Sequence, residues 1–230
     1  GKLMLEYRNE YKYICSEAEL KIIEHRLRPI MKVDAHQSGN SYRIRSLYFD
    51  DYYRTAFNEN EIGIDNRKKF RLRVYDNPKE MIRLEVKYKS RGKTHKDSCQ
   101  ISQEVCEKIM AGERPDFDKN DPNPLKLLYI EMSMYDMKPV VVIEYERTAF
   151  TYPLGNVRVT LDRNISYSKE IGDFLEDRMN LTPIQSKGQH VLEVKYDEFI
   201  PDYIAQVLEL GNLNRTAFSK FYLGELLKNK

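Results

Sequence analysis

The stretch Ile82–Lys89, IRLEVKYK, sorts its side chains with period two. Ile82, Leu84, Val86 and Tyr88 take one face. Arg83, Glu85, Lys87 and Lys89 take the other, the pattern of a strand with one apolar side. The same sorting recurs on both flanks. Arg8, Glu10 and Lys12 oppose Tyr7, Tyr11 and Tyr13, and Arg71 and Arg73 oppose Phe70, Leu72 and Val74. Downstream, Arg158, Thr160 and Asp162 oppose Val157, Val159 and Leu161, while Glu193 and Lys195 oppose Leu192, Val194 and Tyr196. Tyr42–Asp50 and Pro139–Phe150 also read as strands, the second placing Tyr145 and Arg147 on one face.

One such strand says little, because antiparallel sheets often keep one wet, charged face. Five say more. An open sheet presenting Arg and Lys on strand after strand would repel itself unless acids or anions intervened. Closing the sheet turns the charged faces inward around a cationic lumen and leaves the apolar faces outside, where helices must cover them. Such a lumen is costly to desolvate unless it stays wet or holds an anion. A chain of regularly spaced phosphates is the fitting occupant, since guanidinium groups match phosphate oxygens bidentately and ammonium groups act as point charges. The expected fold is therefore α+β, a closed antiparallel β tunnel with flanking helices.

Helix signals fill the gaps. Ser16 and Glu19 form a capping box ahead of Leu20, Ile23, Leu27 and Ile30 at helical spacing. Further helices are expected from Ser102 to just before Gly112, and over Pro124 to Met134, Pro201 to Leu210 and roughly Thr216 to Leu227. Asp116–Pro124 reads as a connection within one domain, 1–230, and a chain of this size hides roughly 70% of its unfolded surface.

Charged residues make up 32% of the chain, yet the formal net charge is only +2. That balance excludes a basic nucleic-acid coat and an acidic solvating tail, so no nucleic-acid partner is expected. Three cysteines without a CxxC pair point to a reduced, cytoplasmic compartment. The longest aliphatic run, Val140–Ile143, falls far short of the ~20 residues a bilayer requires, so no membrane span is expected.

The run Lys87–Lys96, KYKSRGKTHK, contains GKT, but the first glycine of a Walker loop would fall at Lys87. No GxGxxG is present either, so phosphates must be held by side chains, with Arg91 and Lys93 on a hairpin loop. His25, His36, His95 and His190 lack metal-ligand spacing. A metal acting here is expected to be a hard cation with oxygen ligands, Mn²⁺ or Mg²⁺ beside phosphate. Glu10, Glu85, Asp162 and Glu193 are the carboxylates on charged faces, and most read as neutralisers of their basic neighbours.

The segments RNEYK (Arg8–Lys12), RSLYFDD (Arg45–Asp51), KFRLRVY (Lys69–Tyr75), IRLEVKYK (Ile82–Lys89), EYERTAF (Glu144–Phe150), VRVTLD (Val157–Asp162), VLEVKY (Val191–Tyr196) and FSKFY (Phe218–Tyr222) together resemble the VTC polyphosphate polymerase domain. That family lies within the triphosphate tunnel metalloenzymes, alongside the CYTH proteins. The resemblance runs from Glu6 to about Leu226 and implies a tunnel of eight strands that binds ATP and a growing inorganic polyphosphate chain. It implies catalytic roles for Arg71, Arg73, Lys87, Arg147 and Lys220. The first three would clamp the triphosphate, and the last two would stabilise charge on the transferred group. Lys12, Lys96, Arg158, Lys195, Tyr145 and Ser219 resemble further substrate-binding positions, and Glu193 resembles the carboxylate that holds Mn²⁺ or Mg²⁺.

CYTH proteins begin with ExExK, whereas Arg8 replaces the first glutamate here. Losing that carboxylate removes a metal ligand and is expected to add a phosphate contact, which favours a polymerase over a triphosphatase. The alternatives are an inorganic triphosphatase or tripolyphosphatase of the same fold, acting on triphosphate or pyrophosphate-type substrates, and a module that binds polyphosphate or nucleotide without turnover.

Overall fold

The computed structural model describes residues 8–34, 41–50, 67–113, 118–184, 188–208 and 214–216. The period-two segments become β1 (Arg8–Ser16), β3 (Tyr42–Asp50), β4 (Arg67–Val74), β5 (Ile82–Ser90), β7 (Lys138–Tyr152), β8 (Val157–Ser168) and β10 (Gln189–Tyr196), and four strands not expected from the sequence join them: β2 (Lys32–Val33), β6 (Lys93–Ile101), β9 (Thr182–Pro183) and β11 (Asn214–Thr216). Hydrogen bonding runs from β7 through β3, β4, β5, β6, β1, β10 and β8, and β8 pairs back with β7. Every pairing is antiparallel. Eight strands thus close into a ring, the arrangement the repeated charged faces demanded.

Register keeps like faces together around that ring. Lys69, Arg71 and Arg73 of β4 lie opposite Lys87, Glu85 and Arg83 of β5, and Lys87 lies opposite Lys96 of β6. Lys12 and Glu10 of β1 face Glu193 and Lys195 of β10, and Arg147 of β7 faces Asp162 of β8. The β5–β6 hairpin turns on Arg91 and Gly92, both at positive φ (51° and 74°), between the paired residues Ser90 and Lys93. Two-residue turns of this kind match the twist of the strands they join.

The outward faces are apolar, and helices cover them. Leu47, Phe70, Leu72, Leu84 and Val86 pack under α2 (Gln103–Met110) and α3 (Asn123–Tyr135) through Cys106, Ile109, Leu125, Leu128 and Met132. On the other side Cys15, Phe150, Val159, Leu161, Leu192 and Val194 pack under α1 (Glu17–Leu27) and α4 (Asp202–Leu208) through Leu20, Ile23, Leu27 and Ile204. Burying each Leu or Ile of these faces contributes about 1.5–3 kcal/mol, which is why the ring needs its helices. The capping box forms as read: Glu19 N donates to Ser16 Oγ at 3.1 Å, and Ser16 N donates to Glu19 Oε1 at 2.9 Å.

Arg45 points outward from β3 and is fully buried. Its Nε donates to Glu144 Oε1 at 2.8 Å and its Nη1 to the Phe174 carbonyl at 2.8 Å, strapping the segment after β8 onto the ring. A helix beginning at Thr216 is not what forms. Thr216 ends β11, which pairs with Lys12–Ile14 of β1. β6 reaches only Arg8 and Asn9 of β1, leaving that later stretch available to another strand. Residues 217–227 lie outside the described residues. No helix among the described residues is long and apolar enough to cross a membrane.

Candidate active site

Inside the ring a cavity of about 710 Å³, part of it open to solvent, is lined by basic side chains from five strands. Lys12 comes from β1, Lys69, Arg71 and Arg73 from β4, Lys87 and Lys89 from β5, Arg147 from β7 and Lys195 from β10. Two carboxylates, Glu10 and Glu193, and two phenols, Tyr48 and Tyr145, complete the lining. Eight formal cations against two formal anions leave six positive charges facing one cavity. An apolar stretch of the ring adjoins the two phenols. Tyr42 and Ile44 share a strand face with Tyr48, and Val141 and Ile143 share one with Tyr145, in a single buried cluster.

The three arginines that line the cavity are held differently. Arg71 donates through Nε and Nη2 to Glu85 Oε2, at 3.0 and 2.6 Å. Arg147 forms a fork with both oxygens of Asp162, at 2.8 and 3.0 Å. Arg73 meets only hydroxyls: Nε donates to Ser46 Oγ and Nη2 to the Tyr145 hydroxyl, each at 3.0 Å. Among the described residues no carboxylate stands within ion-pair distance of Arg73, although its side chain is buried. A buried guanidinium without a carboxylate partner is costly, and an anion entering the cavity would offset that cost. Glu85 nevertheless feels that charge. Burial raises its pKa, and Arg71, Arg73 and Lys96 together bring it well below the usual carboxylate range.

Glu10 sits among the lysines. Its Oε1 lies 3.0 Å from Lys87 Nζ and 3.2 Å from Lys12 Nζ. Lys195 Nζ lies 3.0 Å from Glu193 Oε1 and 4.0 Å from Glu10 Oε2. Burial and the Glu193 charge would raise the Glu10 pKa, but Lys87, Lys12 and Lys195 hold it well below the ordinary range. Burial, with Lys12 and Lys195 close by, holds Lys87 well below the ordinary lysine range despite Glu10. The second oxygen of Glu10 is buried and accepts no hydrogen bond.

The family model for the VTC domain matches residues 7–227. The chain belongs to the VTC domain family. No curated protein matches its sequence. Among solved structures, a Hippeastrum protein studied as a candidate adenylyl cyclase, with a dominant triphosphatase activity, superposes with a TM-score of 0.57 at 14% identity over 95% of both chains. The PH1819 protein of Pyrococcus horikoshii OT3 gives 0.50 at 15% identity, covering 97% of this chain and 100% of its own. A chain of the Schizosaccharomyces pombe Mediator head module gives 0.51 at 6% identity, covering 91% of this chain and 100% of its own. These likenesses establish the tunnel fold, and that fold serves proteins of very different kinds.

Within this VTC domain, Lys12, Arg71, Arg73, Lys87, Tyr145, Arg147, Glu193 and Lys195 all meet at the one cavity. Lys96 stands at its rim with a half-exposed side chain, 3.6 Å from Glu85 Oε2. Desolvation, with Arg71 and Arg73 nearby, pushes Lys96 down to about 8 against the opposing pull of Glu85. Arg158 does not join them. Its Nη1 is held by Asp34 Oδ2 at 2.6 Å and its Nη2 donates to the Tyr42 hydroxyl at 3.3 Å, in a separate concavity. Ser219 and Lys220 lie outside the described residues.

Arg8, expected to add a phosphate contact, is not among the residues that line the cavity. Its Nε pairs with Asp197 at 3.1 Å and its Nη2 donates to the Asn156 carbonyl, because the chain just after β10 brings a carboxylate to it first. Sequence reasoning passed over Lys69 and Lys89 as site residues, though each stands two residues from a chosen one on the same strand face. Glu10, read as a neutraliser of its basic neighbours, does pair with Lys87 and Lys12.

Glu10 and Glu193 are the oxygen donors lining the cavity that could serve a hard divalent cation, which would have to displace Lys195 from between them. One buried carboxylate oxygen there lacks a hydrogen bond, and both donors are the hard oxygens such ions prefer. Among the described residues no group of three or more His, Cys, Asp or Glu gathers to hold a metal, so phosphate oxygens and water would have to complete the shell. That incomplete protein ligation is the habit of Mg²⁺ beside phosphates.

Proposed function

We propose that this VTC domain is an ATP-dependent polyphosphate polymerase, moving the γ-phosphoryl group of ATP onto the end of an inorganic polyphosphate chain. The observation that carries the reading is Arg73, a buried guanidinium held by two hydroxyls and facing a cavity with an excess of six formal positive charges. Phosphoryl transfer asks mainly for positioning and for neutralisation of charge on the equatorial oxygens, and this lumen supplies both.

Arg73 anchors the triphosphate. Arg71 flanks it from the same strand and Lys87 from the adjoining one, and Arg147 meets it across the lumen, with Lys220 as a further stabiliser. Arg71 and Arg147 arrive already oriented by Glu85 and Asp162, so little side-chain entropy is lost when substrate binds. Lys12, Lys195 and Lys96 supply charge to the rest of the phosphate chain. The bond from the γ-phosphorus to the bridging oxygen breaks, ADP departs with the electron pair, and a terminal oxygen of the acceptor bonds to that phosphorus. The acceptor oxygen is already ionised, so no general base is needed. Glu193, with Glu10, would hold Mn²⁺ or Mg²⁺, whose chemistry is neutralisation of charge on the bridging phosphate oxygens.

Hydrolysis is the rival, with water in place of the acceptor phosphate. Arg8 speaks less strongly against it than its position in the motif suggests, because it is engaged by Asp197. The deciding experiment incubates purified protein with ATP and Mn²⁺ and follows ³¹P resonances and long chains on gels. Internal-phosphate signal and a ladder of lengthening chains are expected. Orthophosphate without chains would make the protein a triphosphatase, and neither product with retained ATP binding would make it a binding module.

A further inference from the structure

The lysines that meet the lumen differ in how open they are to solvent. Lys12, Lys69, Lys87, Lys89 and Lys195 are half-buried, whereas Lys96, at the rim, is exposed. Lys87 is further occupied by Glu10 at 3.0 Å, and Lys195 by Glu193 at 3.0 Å. Lys96 has no such hold among the described residues. Its Nζ stands 3.6 Å from Glu85 Oε2, too far for a hydrogen bond, and that oxygen already accepts two N–H groups from Arg71. An amine with an open approach and no close acceptor can present its nitrogen lone pair to a reagent from solution.

The surroundings make that lone pair available. Desolvation disfavours the ammonium form and the guanidiniums of Arg71 and Arg73 repel it, so Lys96 is held down at about 8 despite Glu85. About one-quarter of such amines are neutral at pH 7.5, against about one in a thousand for an ordinary lysine. Lys108 is the matched foil. Its side chain is 50% exposed against 51% for Lys96, and it too has a carboxylate nearby, Glu104 at 3.3 Å, but it sits on the outer helix α2.

The cavity behind Lys96 selects what reaches it. Eight cations against two carboxylates draw in small phosphate-bearing molecules and hold them near the amine. Among these, an acyl phosphate brings both a carbonyl carbon for the amine to attack and a phosphate to leave. A phosphate group seated on the neighbouring arginines raises the local concentration of that reagent at this one lysine.

We propose that Lys96 is a self-acylation site for acyl phosphates, an exposed rim amine modified by small molecules that the phosphate cavity itself recruits. Its nitrogen lone pair bonds to the acyl carbon, the bond from that carbon to the phosphate oxygen breaks, orthophosphate leaves with the electron pair, and the surplus amine proton passes to water. The product is a neutral amide, so the rim loses one positive charge and grips phosphate chains less well. This rests on the affinity of the cavity for phosphate and is separate from transfer of a phosphoryl group.

Incubating wild type and Lys96→Arg with acetyl phosphate at pH 7.5, with and without inorganic tripolyphosphate, and following acetylation lysine by lysine by peptide mass spectrometry tests it. Lys96 is expected to react about tenfold faster than Lys108. Saturating tripolyphosphate is expected to slow Lys96 by about fivefold or more and to leave Lys108 within about twofold. N-hydroxysuccinimidyl acetate, a neutral reagent, is expected to prefer Lys96 less, and an equal preference would overturn the part given to phosphate. Acetylated wild type should bind tripolyphosphate about two- to threefold more weakly by calorimetry, while Lys96→Arg treated in the same way keeps its affinity. Equal rates at Lys96 and Lys108, or no protection by tripolyphosphate that is demonstrably bound, would overturn the proposal and leave the cavity standing. If wild type binds no tripolyphosphate, the cavity reading falls, and this one with it.

Discussion

In the central cavity eight cations face two carboxylates, whereas one step along the same strands three carboxylates face two arginines. Both regions are built by the same alternation on the same eight-stranded ring, so the difference is not one of backbone. It comes from where each basic group finds its acid. Glu85 and Asp162 serve Arg71 and Arg147 without lining the cavity, leaving its surface basic. At the other region Asp34 satisfies Arg158 from within the lining itself. A chain with a formal charge of only +2 can therefore carry a strong internal field, provided its charges are segregated along the lumen.

That contrast can be broken most severely at Arg73. Arg73→Ala should cut turnover by roughly 10²–10³-fold, the scale of losing one preorganised charge-stabilising group, while far-UV circular dichroism stays native. Turnover near wild type would remove the cavity as the seat of chemistry. Next comes the carboxylate corner. Glu193→Gln should raise the Mn²⁺ concentration for half-maximal activity by about tenfold, a loss seen even for outer-shell partners of metals. An unchanged metal requirement would return Glu193 to the role of charge neutraliser.

A smaller change sharpens the comparison from the acidic side. Glu80→Lys reverses one exposed charge there and should strengthen tripolyphosphate binding by about threefold at low salt, an effect that fades as salt rises. No gain at low salt would mean that the sign of that region is not felt by the ligand. The smallest effect concerns Lys96. With its pKa pushed down to about 8, it is charged below that value and loses its charge as pH rises through it. A bound phosphate stabilises the charged form, so the affinity advantage of wild type over Lys96→Met should be about two- to threefold near pH 7 and shrink by pH 9, modest because the side chain is half exposed. A difference constant across that range would mean Lys96 does not contact the ligand.

The charged faces of β1, β4, β5, β8 and β10 were legible because period-two alternation reports directly on which side a residue takes. That they close was inferable from self-repulsion. The apolar stretch was not. β3 is buried on both faces, so Ile44 gives no more sign of facing the lumen than Leu47 gives of facing the helices. Alternation also says nothing about distance along the lumen, which is why Arg158 looked equivalent to Lys195 although they line different regions. Arg8 misled for a related reason: its partner, Asp197, is 189 residues away and recognisable only once β1 and β10 are paired.

The Arg91–Gly92 turn touches no part of the cavity, yet the cavity depends on it. Because it admits two residues at positive φ and no more, Ser90 is forced against Lys93, and every later couple down the hairpin follows, Lys87 with Lys96 and Glu85 with Ser98 among them. Insert one residue there and, with β5 held in register by β4, β6 slips by one, turning Lys96 away from the lumen and Asp97 into it. Few point substitutions inside the tunnel would be as disruptive as that one-residue insertion outside it, so the length of this small connection is as much a part of the chemistry as any arginine.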